Sequence, residues 1–581
     1  MAEAELHRIP ARDGAGLVLR RRPLQAAIDA LPASLPALLR RVYAARGVGD
    51  ADALSLDLAR LPDFRQLADI DAACDLIEQA LTEDQRILVV GDFDADGATA
   101  TALVVNLLRA FGGRQVDYLV PDRARHGYGL SPSVVEAASE LRPQLIITVD
   151  NGIASHDGVT AAHALGCRVL VTDHHLPPPE LPAADAIVNP NRLDCPFPDK
   201  ALAGVGVIFY VMLALRARLR ERGWFRDQAE PVLADYLDLV ALGTVADVVP
   251  LTHTNRVLVS QGLKRIRRGR TRPGIAALAQ VAGRELNRLV ATDIGFGLAP
   301  RLNAAGRLDN MALGVECLLA AHAHGADSAA LVLEQLNAER RERQSQMQDE
   351  ALASLAALDL GDAGLPSGLC LHEADWHEGI VGLVAGRIRE RYHRPVVAFA
   401  RAGAGGLKGS ARSVPGVHIR DVLANVATAH PGLVDKFGGH GMAAGLSLAE
   451  HELDRFRDAF ALEVDRWVTP AMLEGIIDTD GALTGDDFSL DTARALREGG
   501  PWGAGFPEPA FDGEFRVLDQ RIVGERHLKL TLMPADGGAA LSAIAFNQEH
   551  KVGDRIHAVY RLDVNRYQAM DNLQLVITAI A

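Results

Sequence analysis

The chain has 581 residues, too many for one hydrophobic core, and its 48% hydrophobic and 23% charged content is typical of folded globular domains. A formal net charge of −15 argues against a general nucleic-acid binder, although local potential decides binding. No apolar run is long enough to span a bilayer, and the acidic first residues do not resemble a signal peptide. The five cysteines have neither metal-binding nor redox spacing, so we expect reduced thiols and a cytoplasmic protein.

Residues 1–70 mix short helical patterns with prolines and carry no motif, so we expect an extension that packs on the next domain. Over residues 71–325, short apolar runs alternate with helical segments. This alternation predicts a parallel α/β sheet that is covered by helices on both faces. The predicted strands are Ile87–Val90, Tyr118–Val120, Leu145–Val149, Arg168–Val171 and Ala186–Val188.

Polar side chains directly follow three of these predicted strands. They are Asp92, Asp94 and Asp96 after the first, Asp150-Asn-Gly152 after the third, and Asp173-His174-His175 after the fourth. Because ligands bind beyond the carboxyl ends of parallel strands, these groups are expected to converge on one rim. Asp247 is a further acid in an apolar run, for which a helix cap is the alternative interpretation. Clustered carboxylates repel one another, so their retention indicates a bound cation.

The spacing of Asp92, Asp94, Asp96 and Gly97 matches the first half of an EF-hand calcium loop. That loop needs a glutamate at its twelfth position, which is Leu103 here, and a preceding helix where this sequence predicts a strand. Mixed carboxylate and imidazole ligands suit Mn²⁺ or Mg²⁺ instead, and enough are present for two ions. Two ions about 3.5–4 Å apart activate water and stabilise the attacking and leaving oxygens at phosphorus. The residues therefore predict a two-metal phosphoesterase.

Three further regions follow this domain. Residues 326–361 are rich in helix-forming residues and predict one long helix that bridges two α/β regions. A smaller α/β domain is expected over residues 362–468, where the glycine-rich segments 405–413 and 437–445 predict either anion binding or ordinary turns. Residues 469–581 contain five short alternating segments, which predict a β-barrel such as an OB-fold that binds single strands.

Two basic features remain open from the residues alone. The run Lys264–Arg272 is either a solvated loop or a phosphate-binding patch. In the predicted barrel, Arg561, Arg566 and Tyr567 are candidate contacts for a single strand.

The combination of motifs resembles the DHH phosphoesterase superfamily. The residues that carry the resemblance are Asp92–Gly97, Asp150–Gly152, Asp173–His175 and Asp247, followed by Gly438-Gly-His440 and Ala443-Ala-Gly445, which resemble its DHHA1 domain. The resemblance covers nearly all of the chain from about residue 70. It implies an α/β multidomain protein with a parallel-sheet DHH domain, a bridging helix, a smaller α/β DHHA1 domain and a C-terminal OB-like barrel.

The resemblance also implies roles for individual residues. The implied metal ligands are Asp94, Asp96, Asp150, His174 and Asp247, with Asp150 bridging two ions. Asp92 and His175 are implied as ligands or as residues behind the ligands, and Asp173 as the residue that orients the histidine pair. The implied substrate contacts are Arg123 and Tyr128 on the strand, Arg301 or Arg307 from the small-residue loop 299–307 together with Ser410 and Arg412 at a 5′-phosphate, and His440 near the scissile bond. Asp122 departs from the family pattern, where Asn is expected.

The order of motifs, the length and the terminal barrel are similar to the single-strand-specific 5′→3′ DNA exonucleases of this superfamily. The similarity implies hydrolysis of single-stranded DNA to 5′-mononucleotides in recombination and repair, with the strand threaded between two lobes. It also implies a single-strand-binding protein and a helicase as candidate partners.

Two alternatives stay open. The first is a DHH enzyme that acts on short oligonucleotides, cyclic dinucleotides or polyphosphate, against which the barrel and the bridging helix speak. The second is a non-catalytic DHH binding protein, which would require lost ligands, whereas each acid and the histidine are present here.

Overall fold

The computed structural model describes residues 6–9, 17–122, 128–356, 365–402, 405–524, 526–567 and 570–581. The chain divides into two compact units. The larger unit contains Arg22–Asn337 and Thr479–Ile580, and the smaller unit contains Met1–Arg21, Ala338–Asp478 and Ala581. Among the described residues, no helix combines the length and the apolar character needed to cross a membrane.

A five-stranded parallel sheet lies at the centre of the larger unit. The elements up to this sheet are β1 (Leu6–Ile9) and β2 (Leu17–Arg21), which belong to the smaller unit, and α1 (Ala37–Ala44), α2 (Ala51–Leu54) and α3 (Ile70–Thr82). The sheet and its crossovers are β3 (Ile87–Val90), α4 (Ala95–Ala110), β4 (Val116–Leu119), α5 (Pro132–Ser139), β5 (Leu145–Val149), α6 (His156–Ala164), β6 (Arg168–Thr172) and β7 (Ala186–Val188). The strand order is β4-β3-β5-β6-β7. The predicted parallel sheet is confirmed, and every residue of β3 and β5 is buried because helices cover both faces.

Seven helices complete this half of the larger unit. They are α7 (Gly204–Glu221), α8 (Leu237–Ala246), α9 (His253–Arg267), α10 (Pro273–Val281), α11 (Ala291–Asp293), α12 (Ala299–Leu308) and α13 (Ala312–Leu319). Helix α4 packs on α7, α8 and α13, which covers one face of the sheet. The expectation of a loop at 299–307 is wrong, because a π-helical turn at Ile294–Leu298 leads directly into α12. Pro300 lies in the first turn of that helix, where a missing N–H is tolerated.

The long helix is α14 (Ala323–Ala356), and the boundary between the two units falls within it. The end of the helix predicted over 326–361 lies outside the described residues.

The smaller unit is built on a mixed five-stranded sheet. Its elements are β8 (Leu369–His372), α15 (Val381–Tyr392), β9 (Val396–Ala402), β10 (Gly406–Arg412), α16 (Ile419–Ala429), β11 (Lys436–Gly439), β12 (Ala443–Ala449), α17 (Leu453–Asp465) and β13 (Ile476–Thr479). The sheet order is β11-β12-β10-β9-β8, with β8 parallel to β9 and the other pairs antiparallel. Most of both glycine-rich segments therefore lies in paired strands and not in turns. Strand β13 instead lies beside β2 in a separate three-stranded sheet.

The C-terminal region is a closed five-stranded barrel, as predicted. After α18 (Leu490–Glu498), its strands are β14 (Phe511–Val523), β15 (His527–Pro534), β16 (Leu541–Ala545), β17 (Arg555–Tyr567) and β18 (Met570–Ile580). The order around the barrel is β14-β15-β16-β18-β17. Residues alternate between the interior and the surface, so Leu528, Leu530 and Leu532 of β15 fill the interior.

A buried ion pair ties the N-terminal extension to the segment that precedes the barrel. The side chains of Arg46 and Asp480 are each 1% exposed, and Arg46 Nη1 lies 2.8 Å from Asp480 Oδ1. Arg46 Nη2 donates to Asp480 Oδ2 at 3.0 Å, and Arg22 Nη1 lies 3.1 Å from the same oxygen. The guanidinium of Arg46 also lies 5.3 Å from the ring centroid of Trp502. Removal of Asp480 would leave a buried cation without its counter-charge.

We expect Asp480→Ala to lower the free energy of unfolding by about 3–5 kcal/mol, because breaking a buried pair costs more than an exposed one. Asp478→Ala is the control, since that carboxylate is 33% exposed in its pair with Arg20 and should contribute about 0–1 kcal/mol. Denaturant unfolding of both variants measures the difference. Equal losses in the two variants would contradict the structural role of the buried pair.

Candidate metal centre

Seven sequence-predicted side chains meet beyond the carboxyl ends of β3, β5 and β6. They form three overlapping groups: Asp92 with Asp94 and Asp150, Asp96 with His174 and Asp247, and Asp150 with His174 and His175. Within each group, one ligand atom per residue lies within 4.8 Å of the others. Asp150 and His174 each belong to two groups. This overlap is what two neighbouring ions with shared ligands would require.

The turn between β3 and α4 fixes the first acids. Asp94 caps α4, because its Oδ1 accepts hydrogen bonds from the N–H groups of Asp96 at 2.9 Å and Gly97 at 3.0 Å. Gly97 is required for a close approach, since a β-carbon there would lie 2.6 Å from the backbone nitrogen of Asp92. The cap therefore holds Asp94 in place while the turn directs Asp92 and Asp96 into the interior.

Asp96 points at the N-terminus of α7. Its carboxylate accepts hydrogen bonds from the N–H groups of Gly204 at 2.6 Å and Val205 at 3.0 Å. A helix N-terminus favours negative charge, so this contact supports a carboxylate in a buried place. Gly204 also leaves space for Asp150, because a β-carbon at Gly204 would lie 2.5 Å from the β-carbon of Asp150.

Asp150 has the most constrained position in the cluster. Its φ of 63° lies in the left-handed region, which Asp tolerates better than most residues but still at some cost. Its Oδ1 lies 3.0 Å from His174 Nε2, yet this oxygen has no hydrogen-bond partner among the described residues. The Oδ1 of Asp92 is likewise buried without such a partner. Buried carboxylate oxygens without donors are unfavourable, and a divalent cation would satisfy both.

Asp247 lies at the C-terminal end of α8, where the helix dipole disfavours an acid. Its Oδ2 is 3.6 Å from His174 Nε2. Val248, the next residue, has a φ of 62°, which is a rare conformation for a β-branched side chain. Strain and unfavourable charge at one position are typical of a functional site.

Asp173 orients both histidines from behind. This buried carboxylate accepts hydrogen bonds from the backbone N–H of His174 at 2.7 Å and of Ile153 at 2.9 Å. Its Oδ1 also lies 2.7 Å from His175 Nδ1. Burial alone would lower the pKa of His175, but the hydrogen bond and the charge of Asp173 raise it to about 9. Burial opposes the charged form of Asp173 as well, and His175 nevertheless lowers the pKa of Asp173.

Burial and mutual repulsion raise the pKa values of the other acids. Burial, followed by the charge of Asp94, raises the pKa of Asp96 to about 7. Burial and then the charges of Asp96 and Asp94 raise the pKa of Asp247 to about 9. Burial also raises the pKa values of Asp92 and Asp150 well above their usual range. These acids therefore favour their protonated forms until a cation binds, and the oxygen and imidazole donors of the cluster fit Mn²⁺ or Mg²⁺.

Tyr128 lies at this centre, while Arg123 lies outside the described residues. The hydroxyl of Tyr128 is 3.3 Å from His175 Nδ1 and 3.4 Å from the carbonyl oxygen of Asp150. Its ring packs edge-on against Phe93, with centroids 5.9 Å apart. An aromatic side chain therefore borders the candidate metal ligands directly.

The two arginines of α12 differ in their surroundings. Arg301 is buried, lies 2.5 Å from Glu334 Oε2 through its Nε, and donates to the carbonyl oxygen of Gly297 at 2.5 Å. Arg307 is half-buried near the end of the same helix. The side chain of Arg301 is thus committed to protein contacts.

The remaining predicted substrate contacts lie in the smaller unit. Ser410 and Arg412 share one face of β10, and Arg412 Nη1 donates to Ser410 Oγ at 3.0 Å. Gly382 in the first turn of α15 lies against both, since a β-carbon there would be 2.8 Å from Ser410 Oγ and from Arg412 Nη2. His440 is exposed in the turn between β11 and β12.

Sequence reasoning gave no role of their own to three residues that support the centre. Asn303 Oδ1 accepts a hydrogen bond from the Ala95 N–H at 2.8 Å, which ties α12 to the turn between β3 and α4. Asn151 Nδ2 donates to the carbonyl oxygens of Val90 at 3.1 Å and Val149 at 2.9 Å. Gly204 leaves space for Asp150, but it lies at the start of the apolar helix α7, where no sequence motif marks it. The Asn within 299–307 is a signal that the sequence carries, whereas the prediction for that segment rests on its arginines.

The fold and the centre define a metal-dependent phosphoesterase of the DHH class. The DHH family N-terminal domain matches residues 86–244, the DHHA1 domain matches 365–465, and the RecJ OB domain matches 479–579. The chain is 55% identical to the single-stranded-DNA-specific exonuclease RecJ of Dickeya dadantii, over 96% of this chain and 98% of that protein. It therefore belongs to the RecJ family.

Solved structures agree with this assignment. The structure of RecJ in complex with Mn²⁺ from Thermus thermophilus superposes with a TM-score of 0.77 at 30% identity, and covers 94% of this chain and 76% of that one. The Mg²⁺ complex from the same organism has a TM-score of 0.72 at 28% identity, with coverage of 94% and 74%.

We expect Mn²⁺ binding at neutral pH to release protons, because ligands whose pKa values are raised must be deprotonated to coordinate an ion. Affinity should therefore rise between about pH 6 and pH 9, the range in which Asp96 and Asp247 lose protons as the pKa values of about 7 and about 9 are passed. Calorimetry in two buffers of different ionisation enthalpy measures the release. Asp247→Asn should release fewer protons, and identical heats in both buffers would contradict the protonated cluster.

Proposed function

We propose that this protein is a single-stranded-DNA-specific exonuclease that hydrolyses phosphodiester bonds with two Mn²⁺ or Mg²⁺ ions. The observation that carries the proposal is the shared position of Asp150, whose buried oxygen faces two groups of candidate ligands. The similar protein of Dickeya dadantii is named a single-stranded-DNA-specific exonuclease, which supports single-stranded DNA as the substrate. The Mn²⁺ and Mg²⁺ complexes of RecJ from Thermus thermophilus support these two ions as the cofactors. Degradation from the 5′ end to 5′-mononucleotides completes the proposal.

The proposed ligands are Asp94, Asp96, Asp150, His174 and Asp247, with Asp150 bridging. We add Asp92 as a direct ligand, because its buried Oδ1 lacks a hydrogen-bond partner among the described residues and lies beside Asp94 and Asp150. When bound, two ions supply an activated water and stabilise both the attacking and the leaving oxygen.

The chain's own residues position the substrate and the proton. Asp173 holds a proton of His175 at Nδ1 and so orients the ring, whose Nε2 lies 3.4 Å from the Tyr128 hydroxyl. The ring of Tyr128 beside His175 is suited to stack on a base next to the scissile phosphate. A base stacked there would bring its phosphate within reach of the proposed ligands.

Other proposed contacts hold the strand at its phosphates. Ser410 and Arg412 offer a hydroxyl and a guanidinium on one face of β10, next to the first turn of α15, which suits a 5′-phosphate. His440 and Arg123 remain proposed contacts with the strand. Because Arg301 is buried against Glu334, we assign substrate contact to Arg307 and a supporting role to Arg301.

We propose the functional division that the sequence suggested: an extension over 1–70, a catalytic DHH domain over 71–325, a bridging helix over 326–361, a DHHA1 domain over 362–468 and a single-strand-binding barrel over 469–581. The same proposal includes a role in DNA recombination and repair in the cytoplasm, with a single-strand-binding protein and a helicase as partners.

The deciding experiment compares a long single strand labelled at its 5′ end with a dinucleotide, in the presence of Mn²⁺. We expect labelled mononucleotide to appear from the long strand at once, because the proposed contacts would hold a 5′-phosphate and a long strand. Asp150→Ala is the control, which should retain the fold and lose at least about 10³-fold in rate, the scale on which loss of electrostatic stabilisation acts. Cleavage of the dinucleotide alone, or release of label only after extensive digestion, would contradict the proposal.

We expect Arg412→Ala to reduce the preference for 5′-phosphorylated over 5′-hydroxyl strands, because the charge-assisted contact to the phosphate is lost. The ratio of kcat/KM for the two strands should fall by about tenfold, equivalent to about 1.4 kcal/mol. Arg401→Ala is the matched control, since Arg401 lies on the neighbouring strand β9, is 55% exposed and pairs with Glu450. An unchanged ratio in Arg412→Ala would remove this residue from the pocket.

A further inference from the structure

The two histidines of the centre are adjacent in the chain but meet different partners. His174 Nε2 lies 3.0 Å from Asp150 Oδ1 and 3.6 Å from Asp247 Oδ2, whereas His175 Nδ1 lies 2.7 Å from Asp173 Oδ1. The centroids of the two rings are only 4.5 Å apart. Consecutive side chains of an extended strand point to opposite faces, so two neighbouring rings converge only where the backbone bends. The groups that hold this bend therefore determine where both rings lie.

The ladder between β6 and β7 does not reach the histidine pair. These strands are parallel neighbours, and one backbone bond continues their ladder, from the N–H of Asp173 to the carbonyl oxygen of Val188 at 3.1 Å. The next bond of a parallel ladder would come from the N–H of residue 190, which is a proline and has none. The carbonyl groups of His174 and His175 therefore lie past the end of the ladder.

Two asparagine side chains supply the donors that the ladder lacks. Asn191 Nδ2 donates to the carbonyl oxygen of His174 at 2.5 Å, and Asn189 Nδ2 donates to that of His175 at 2.9 Å. Asn189 is fully buried, and its Oδ1 accepts a hydrogen bond from the backbone N–H of Asn191 at 2.7 Å. The two amides thus form one connected unit. A carbonyl oxygen can only accept, so these positions require a donor.

The loop that carries the two asparagines is itself fixed from its other side. Lys200 Nζ donates to the carbonyl oxygens of Pro190 at 2.6 Å and Cys195 at 2.8 Å. Arg192 is buried, and its Nη1 donates to the carbonyl oxygen of Ile187 at 2.5 Å. The amides are therefore held in place by protein contacts alone. Such support is what a metal site needs, because its ligands must be held to within about 0.5 Å of the binding geometry.

A simpler interpretation is that the asparagines stabilise only their own loop. The bond between Asn189 Oδ1 and the N–H of Asn191 fits that interpretation, because asparagine commonly forms such local turns. The other two bonds do not fit it, because they reach residues 14 and 17 positions away in the sequence. Both of these bonds end on the backbone of the histidine pair. The contacts are thus directed at the histidines as well as at the loop.

We propose that Asn189 and Asn191 are positioning residues of the metal centre. They hold the backbone of His174 and His175 so that the first ring faces Asp150 and the second turns to Asp173. Their role rests on the proposed two-metal function, and they act through the histidines without touching an ion or the strand. Residues that orient metal ligands from behind affect metal affinity or activity by about ten- to a hundredfold.

The test measures the Kd for Mn²⁺ by calorimetry at one fixed pH, with the full chain carrying Asn191→Ala. Asn191→Leu keeps a similar side-chain volume and also removes the donor, so it separates the hydrogen bond from packing. The matched control is Gln520→Ala in the barrel strand β14. The Gln520 amide donates to the carbonyl oxygen of Val552 at 2.8 Å and accepts from its N–H at 2.9 Å. Urea unfolding in EDTA measures the stability of each variant without metal.

We expect both Asn191 variants to raise the Kd for Mn²⁺ about tenfold, the lower end of the range for residues behind metal ligands. Gln520→Ala should lower the urea midpoint and bind Mn²⁺ like the wild type. Because the two amides form one unit, Asn189→Ala combined with Asn191→Ala should raise Kd by less than the product of the single effects.

An unchanged Kd in the Asn191 variants, or an equal rise in Gln520→Ala, would overturn the positioning role. An effect of Asn191→Ala that Asn191→Leu does not share would also overturn it, because packing would then be the cause. Failure of the wild type to bind Mn²⁺ would instead refute the metal centre. If the wild type binds Mn²⁺ but hydrolyses no single strand, the exonuclease function fails while the role of the asparagines stands.

Discussion

The burial of several carboxylates in one small space is the constraint on which the larger unit depends. Asp92, Asp96 and Asp150 are all buried, and Asp94 and Asp247 lie against them. Such a cluster is stable only with protons or with cations, because mutual repulsion in a region of low dielectric is severe. A pair of divalent ions removes the repulsion and supplies Lewis acidity at once. The same burial therefore explains both the raised pKa values and the proposed chemistry.

The fold accommodates the clustered carboxylates through close backbone contacts. Gly97, Gly204 and Gly243 each lie where a β-carbon would collide with an acid of the cluster or with its backbone. Asp150 adopts a left-handed conformation, and Asp247 opposes the dipole of α8. The N-terminus of α7 partly offsets these costs, because its amides bind Asp96. Conformations and charges that lower the stability of the fold are thus concentrated at the candidate site, where they serve function.

Much of this organisation could be predicted from the sequence, because apolar strands followed by acids are local signals. The five strands of the sheet, the convergence of the acids and the five-stranded barrel all carried such signals. The prediction of a loop at 299–307 was wrong. The small residues of this segment belong to the helix α12, which packs on the turn between β3 and α4. Arg561 and Arg566 looked like ligand contacts because their partners, Glu508 and Glu285, are distant in sequence. Contacts between remote segments leave no periodic pattern in the sequence. The side chain of Tyr567, the third candidate in the barrel, lies outside the described residues.

The shared position of Asp150 joins the geometry to the mechanism, so the ions themselves are the object to observe. Crystals of the wild-type chain soaked in Mn²⁺ can be measured at the manganese absorption edge, where anomalous peaks locate each ion independently of the protein. We predict two peaks about 3.5–4 Å apart, both within coordination distance of the Asp150 carboxylate. A single peak, or two peaks that do not share Asp150, would contradict the two-metal centre.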